Sequence, residues 1–118
     1  MTVDQFFVGR EESHRIFAAL RAAIDACGPA EVRVTKSQIS FRRGRAFAWA
    51  WTPDRYLHSA HAPLVLTLSF SRRNDSPRWK EIVEPTPGRF THHLELYTEA
   101  DIDSEVRCWL EEAWYSAV

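Results

Sequence analysis

The sequence predicts an α+β two-layer sandwich, an antiparallel sheet of four or five strands with an N-terminal and a C-terminal helix on one face. Three observations predict it. Apolar residues recur at helical spacing near both ends of the chain. Between those ends they alternate with a period of two, and the alternating runs are joined by connections too short for parallel crossovers. Two amphipathic helices flanking such a sheet cover one face and leave the other freer. At 118 residues the chain fits a single domain, 1–118, able to bury about two-thirds of its unfolded surface.

The elements follow in order. "TVDQFF" reads as a short opening helix that closes near Gly9. In "EESHRIFAALRAAIDACG", Ile16, Phe17, Leu20, Ala23, Ile24 and Cys27 recur at spacings of three and four, the pattern of an amphipathic helix. Gly28-Pro29 stops it. "EVRVT" is a short strand, "SQISF" a second, and "AFAWAW" returns from the "RRGR" turn as a third. Pro53 and Pro63 bound an irregular loop, after which "LVLTLSF" is a fourth strand. Trp79 to Val83 reads equally as extended chain or as one helical turn. "RFTHHLELY" is the last strand, with His92, Leu94 and Leu96 on one face and His93, Glu95 and Tyr97 on the other. A final helix starts after acids and capping oxygens in "TEADIDSEV" and carries the stripe Ile102, Val106, Trp109, Leu110, Ala113 and Ala117, bordered by Trp114.

The runs "KSQISFRRGRAFAWAW", "SPRWKEIVEPTPGRFTHHLEL" and "DIDSEVRCWLEEAW", in that order, resemble the bacterial domain-of-unknown-function family fifty-six fifty-five. The resemblance spans about residues 4 to 116, and its specific parts are the K-S-Q-I and H-H-L-E-L runs. It implies a bacterial source and the α+β shape above, but no catalytic residues. More loosely, the layout is similar to frataxin-like sandwiches, some of which are thought to contact nucleic acid. That likeness is of fold alone. The acidic edge with which such sandwiches hold iron is missing here, where Glu11 and Glu12 make two acids and not a patch.

"AFAWAW" poses the main question of register. If the hairpin loop is Arg43-Gly44-Arg45, Phe47 lies opposite Phe41 and Trp49 opposite Ile39, and the aromatics share the core face. If the loop is Gly44-Arg45, every side chain changes face and the aromatics stand beside Ser40 and Arg42 as a platform. Burying large aromatics is the greater hydrophobic gain, which favours the first register. In that register the free face collects Arg33, Thr35, Ser40, Arg42, Thr67, Ser69, His93, Glu95 and Tyr97.

Charge divides the chain. Residues 31–80 hold ten Lys and Arg against three acids, a net of +7, and residues 81–118 hold two against nine, a net of −7. Either the basic part meets an anionic partner or the two parts offset one another in the fold. On the first reading, Lys36, Arg42, Arg43, Arg72 and Arg73 clamp a nucleic acid or a phosphorylated small molecule, with Trp79 stacking beside them. This binding module is the leading expectation.

A second reading is a small-molecule enzyme or sensor on the free face, with His93 and Glu95 as an acid/base pair, Arg42 holding an anionic group and Ser40 beside it. A third is a protein-interaction or homodimer domain built on an exposed edge or apolar patch. His92 and His93 are adjacent on a strand, point to opposite faces and cannot readily share a metal. His58-x-x-His61 lacks further ligands, so no metal site is expected.

Ser37, Ser40, Ser59 and Ser69 lack a G-x-S-x-G setting. Cys27 and Cys108 are expected to be buried, inert thiols, Cys108 because it sits mid-helix beside Trp109. No Gly-rich phosphate loop calls for a cofactor. Without an apolar run of the ~20 residues a membrane span needs, or a basic, apolar leader, no membrane is expected and a cytoplasmic location is.

Overall fold

The structure is a computed structural model and describes residues 1–55 and 61–118. Its elements are α1 (Val3–Phe6), α2 (Glu11–Asp25), β1 (Glu31–Val34), β2 (Ile39–Arg42), β3 (Ala46–Trp51), β4 (Leu64–Phe70), β5 (Glu81–Thr86), β6 (Arg89–Leu96) and α3 (Ser104–Ser116), with short 3-10 turns at Pro53–Arg55 and Glu99–Asp101. The strands form one antiparallel sheet of order β1-β2-β3-β4-β6-β5. The α+β architecture is as read from the sequence, with one strand more. That strand is β5, an edge whose Pro85 costs no ladder bond and whose pairing shifts between Val83 and Thr86.

Local chemistry fixes the helices. Thr2 and Gln5 cap α1 reciprocally, Thr2 Oγ1 accepting from Gln5 N at 3.1 Å and Gln5 Oε1 from Thr2 N at 2.8 Å. In α2, Ile16, Phe17, Leu20, Ala23 and Ile24 are buried on one stripe. Asp103 opens α3 by accepting from Val106 N at 3.0 Å, and this bond together with Arg78 holds its carboxyl below the usual range. Gly28 has φ +149°, and a Cβ there would stand 2.3 Å from the Trp114 ring, so only glycine lets α3 seat this tryptophan.

The register of β3 departs from the favoured expectation. The loop is Arg43-Gly44-Arg45, since Arg42 pairs with Ala46, but a bulge follows and Phe41 pairs with Ala48 and Ile39 with Ala50. The extra residue turns Phe47 and Ala48 both toward the core, where each is fully buried. From there Ala50 also lies on the core face, whereas Trp49 and Trp51 stand on the open face. The expected placement of Trp49 opposite Ile39 is therefore corrected. The reason is volume: α3 rests on β3 and β4, and Phe41, Phe47, Phe70, Trp109 and Trp114 already fill the space beneath the helices. Alanines at 48 and 50 let α3 approach at native packing density. The hydrophobic gain of burying two more indoles counted area without asking where it would fit.

The two charged parts of the chain meet in the fold. Arg72 pairs with Glu112 at 2.6 Å, Arg78 with Asp103 and Glu105 at 3.0 and 2.8 Å, and Lys80 with Glu95 at 3.2 Å. Among the described residues, no helix is long and apolar enough to cross a membrane.

Candidate ligand-binding groove on the open sheet face

The register places Arg33, Ser40, Trp49, Thr67, His93 and Glu81 in one transverse row across all six strands of the open face. A second row holds Trp51, Val65 and Glu95. On the other side, Ser69 lies opposite Thr91. The bulge has carried Phe47 to the core, so the β3 position beside Ser69 is left without a large side chain. A row of small residues thus runs beside a row containing an indole and an imidazole. The result is a groove of about 540 Å³ lined by Trp49, Trp51, Thr67, Thr91, His93 and the Ser37-Gln38 end of the β1–β2 turn. A smaller hollow of about 230 Å³ lies across Trp51 and His93, toward Lys80, Glu81 and Glu95.

One hydrogen-bonded chain fixes the groove's polar wall. Trp51 Nε1 donates to Thr67 Oγ1 at 3.1 Å, and Thr67 Oγ1 lies 2.7 Å from His93 Nδ1. The threonine hydroxyl accepts the indole proton, and it gives its own proton to Nδ1 or accepts one from it according to the imidazole tautomer. The other ring nitrogen, Nε2, lies 4.0 Å from Glu81 Oε1. Burial pushes the His93 pKa down, opposed by the Glu81 charge, so the neutral form prevails. Trp51 stands edge-on to the imidazole, with ring centres 6.3 Å apart at 87°. Thr67 and Ser69 are buried although, among the described residues, no helix covers this face.

His93 and Ser40 thus share the groove row, and Lys36 sits exposed in the turn that forms the rim. Glu95 is on the same face, but its carboxylate is bonded to Lys80; the acid that faces His93 is Glu81, on the strand the sequence left undecided. Arg42 is exposed at the arginine end of the sheet, level with Ala46 and Glu31. Arg43 is turned away: its guanidinium lies 3.6 Å from the Trp114 ring centre and donates to Trp114 O at 3.2 Å. Arg72 is held by Glu112 and Arg73 by Asp75 at 3.0 Å.

Trp79 is corrected from a stacking residue to a core residue. It is 7% exposed, stacked on Trp109 with centres 4.2 Å apart, and its Nε1 donates to Asn74 Oδ1 at 3.0 Å. The five residues therefore do not converge as one clamp.

His92 is fully buried. Its Nε2 accepts from Asn74 N at 2.9 Å and its Nδ1 bonds Phe90 O at 3.1 Å. His58 and Ser59 lie outside the described residues, and His61 Nδ1 sits 3.2 Å from Ala62 O. Among the described residues, no three His, Cys, Asp or Glu side chains cluster as metal ligands. Cys108 is exposed, which corrects the expectation of burial: it lies one position round the helix from Trp109 and faces out. Cys27 is half-buried, and burial, with the Glu111 charge, pushes its thiol pKa up.

An antiparallel six-stranded sheet with helices on one face and an aromatic groove on the other defines a two-layer α+β domain. The chain belongs to the family described as Domain of unknown function (DUF5655), whose model matches residues 3–117. Neither the curated proteins nor the solved structures include a significant match to the chain.

Proposed function

We propose that the protein is a binding module for a small aromatic molecule, held in the open-face groove with Trp49 and Trp51 as its aromatic surface and His93 as its polar contact. The observation that carries this reading is the Trp51–Thr67–His93 chain, which locks two rings at right angles and leaves Nε2 as the imidazole's remaining polar atom. Rigid apolar walls with a few placed polar groups are what ligand pockets of several hundred Å³ have in common. The neutral imidazole suits recognition through a hydrogen bond, with the Glu81 carboxylate 4.0 Å from Nε2.

The basic-clamp reading has less support, because Arg43, Arg72 and Arg73 are each engaged within the fold. Exposed ion pairs of this kind add little to stability, but they neutralise the charge that a phosphate backbone would seek.

Titration with adenosine and indole-3-acetamide, followed by the indole N–H resonances of the five tryptophans, tests the reading. Saturable shifts of Trp49 and Trp51, with Trp79 and Trp109 unmoved, are expected. Trp49→Ala should weaken binding about tenfold, in line with ~1–3 kcal/mol per stacked ring. Shifts confined to other tryptophans, or a dimer that Trp49→Ala converts to monomer, would remove the groove as a small-molecule site.

A further inference from the structure

We infer that the groove's ligand is an aromatic molecule bearing a carboxylate or phosphate, its ring against Trp49 and its anionic group on Arg89. This rests on the aromatic reading of the groove and names the ligand class.

Arg89 begins β6 and shares the open face with Thr91 and His93. Its Nη2 donates to Ser69 Oγ at 2.9 Å, and Ser69 lies opposite Thr91, which lines the groove. The guanidinium is therefore drawn over the small-residue row, about 7 Å along the strands from the row of Trp49 and His93. Arg45 ends the β2–β3 hairpin, and its backbone is held by Ala117 O, which accepts from Gly44 N at 2.7 Å and from Arg45 N at 2.9 Å. A Cβ at Gly44 would meet Ala117 O at 2.6 Å, so the hairpin's seat on the chain terminus is tight.

Arg45 and Arg89 feel one another: burial, and then the Arg45 charge, lower the pKa of Arg89. Among the described residues neither has an acidic side chain within 4.0 Å, whereas Arg10, Arg72, Arg73, Arg78 and Lys80 each have one. Glu84, on the same hairpin as Arg89, accepts from Gly88 N at 3.0 Å. Arg10 and Arg78, two other half-buried arginines, are each paired with a carboxylate, whereas half-buried Arg89 keeps its charge beside the Thr91 edge of the aromatic groove. An anion placed on Arg89 would gain charge-assisted hydrogen bonds and be favoured by the Arg45 charge as well. The ~7 Å offset suits a ring and an anionic group within one small molecule, and a groove of about 540 Å³ takes one of that size.

The test is calorimetric titration with two matched pairs, AMP with adenosine and indole-3-acetate with indole-3-acetamide. The charged member of at least one pair should bind about tenfold tighter or better, as a hydrogen bond to a charged group predicts, and which pair shows the gap tells phosphate from carboxylate. Arg89→Gln keeps a donor for Ser69 and should abolish that gap without weakening the neutral member. Arg45→Gln should narrow it. Equal affinity within both pairs, unchanged in Arg89→Gln, would overturn the inference and leave the aromatic site standing. No binding by any of the four would overturn both. Binding seen only with oligonucleotides, rising with their length, would replace the small anion with a nucleic-acid strand.

Discussion

Beneath the helices, Trp79 and Trp109 lie stacked and almost sealed, and His92 beside them has a partner on each ring nitrogen. On the opposite face of the same sheet, Trp49 and Trp51 are half-exposed, and His93 has one nitrogen tied to Thr67 and the other at the groove. The residue types are the same and the strand positions are adjacent. What differs is the cover. The helices bring apolar side chains that complete the packing over one set, whereas among the described residues no helix lies over the other. On the proposed reading, indole and imidazole are structural beneath the helices and serve a ligand on the open face.

The largest expected effect separates the two tryptophan pairs. Trp109→Ala should cost about 3–5 kcal/mol in denaturant unfolding, as removal of a buried aromatic does, and Trp49→Ala about 1 kcal/mol or less. Equal losses would mean that the open face is a second core and not a binding surface. A smaller effect tests the bulge. Ala50→Leu inserts volume under α3 and should destabilise by about 1–3 kcal/mol. Unaltered stability would show that the space beneath the helix is not filled, and the register argument would fail with it.

The sequence carried the element order because helical and alternating periods are local properties. It also carried half of the groove. Alternation along "LVLTLSF" and "RFTHHLELY" places Thr67, Ser69 and His93 on the open face, as observed. Three things were not local. The bulge at Phe47 depends on how closely α3 lies to the sheet, and the sequence of the hairpin says nothing of that distance. β5 is an exposed edge with a proline and weak alternation, so Glu81, the acid facing His93, had no assigned face.

The arginines look alike in the sequence, and only the ion pairs of the fold tell Arg72 and Arg73 from Arg45 and Arg89. A signal for Arg89 did exist. It lies two and four residues before Thr91 and His93, on the same strand face, in a part of the chain where Arg107 is the one other base against nine acids.

The smallest effect should come from protonation, and it sharpens the contrast between the two histidines. Burial lowers the pKa of both below the ordinary 6.5. As pH falls through about 6.5 the unfolded chain takes up these protons before the folded chain does, so stability declines from there down to the folded values and levels off below them. Above about 6.5 neither histidine contributes a slope.

His92 should dominate, because a proton on its Nε2 displaces the Asn74 N–H bond inside the core. Protonated His93 has Glu81 at 4.0 Å and a groove open to water. Unfolding free energies measured between pH 7.5 and 5 should therefore fall in the native chain and fall much less in His92→Gln, whose amide oxygen can still accept from Asn74. His93→Gln should leave most of the slope in place. A slope that survives in His92→Gln and vanishes in His93→Gln would reverse the assignment, making the groove histidine the one whose neutrality the fold depends on.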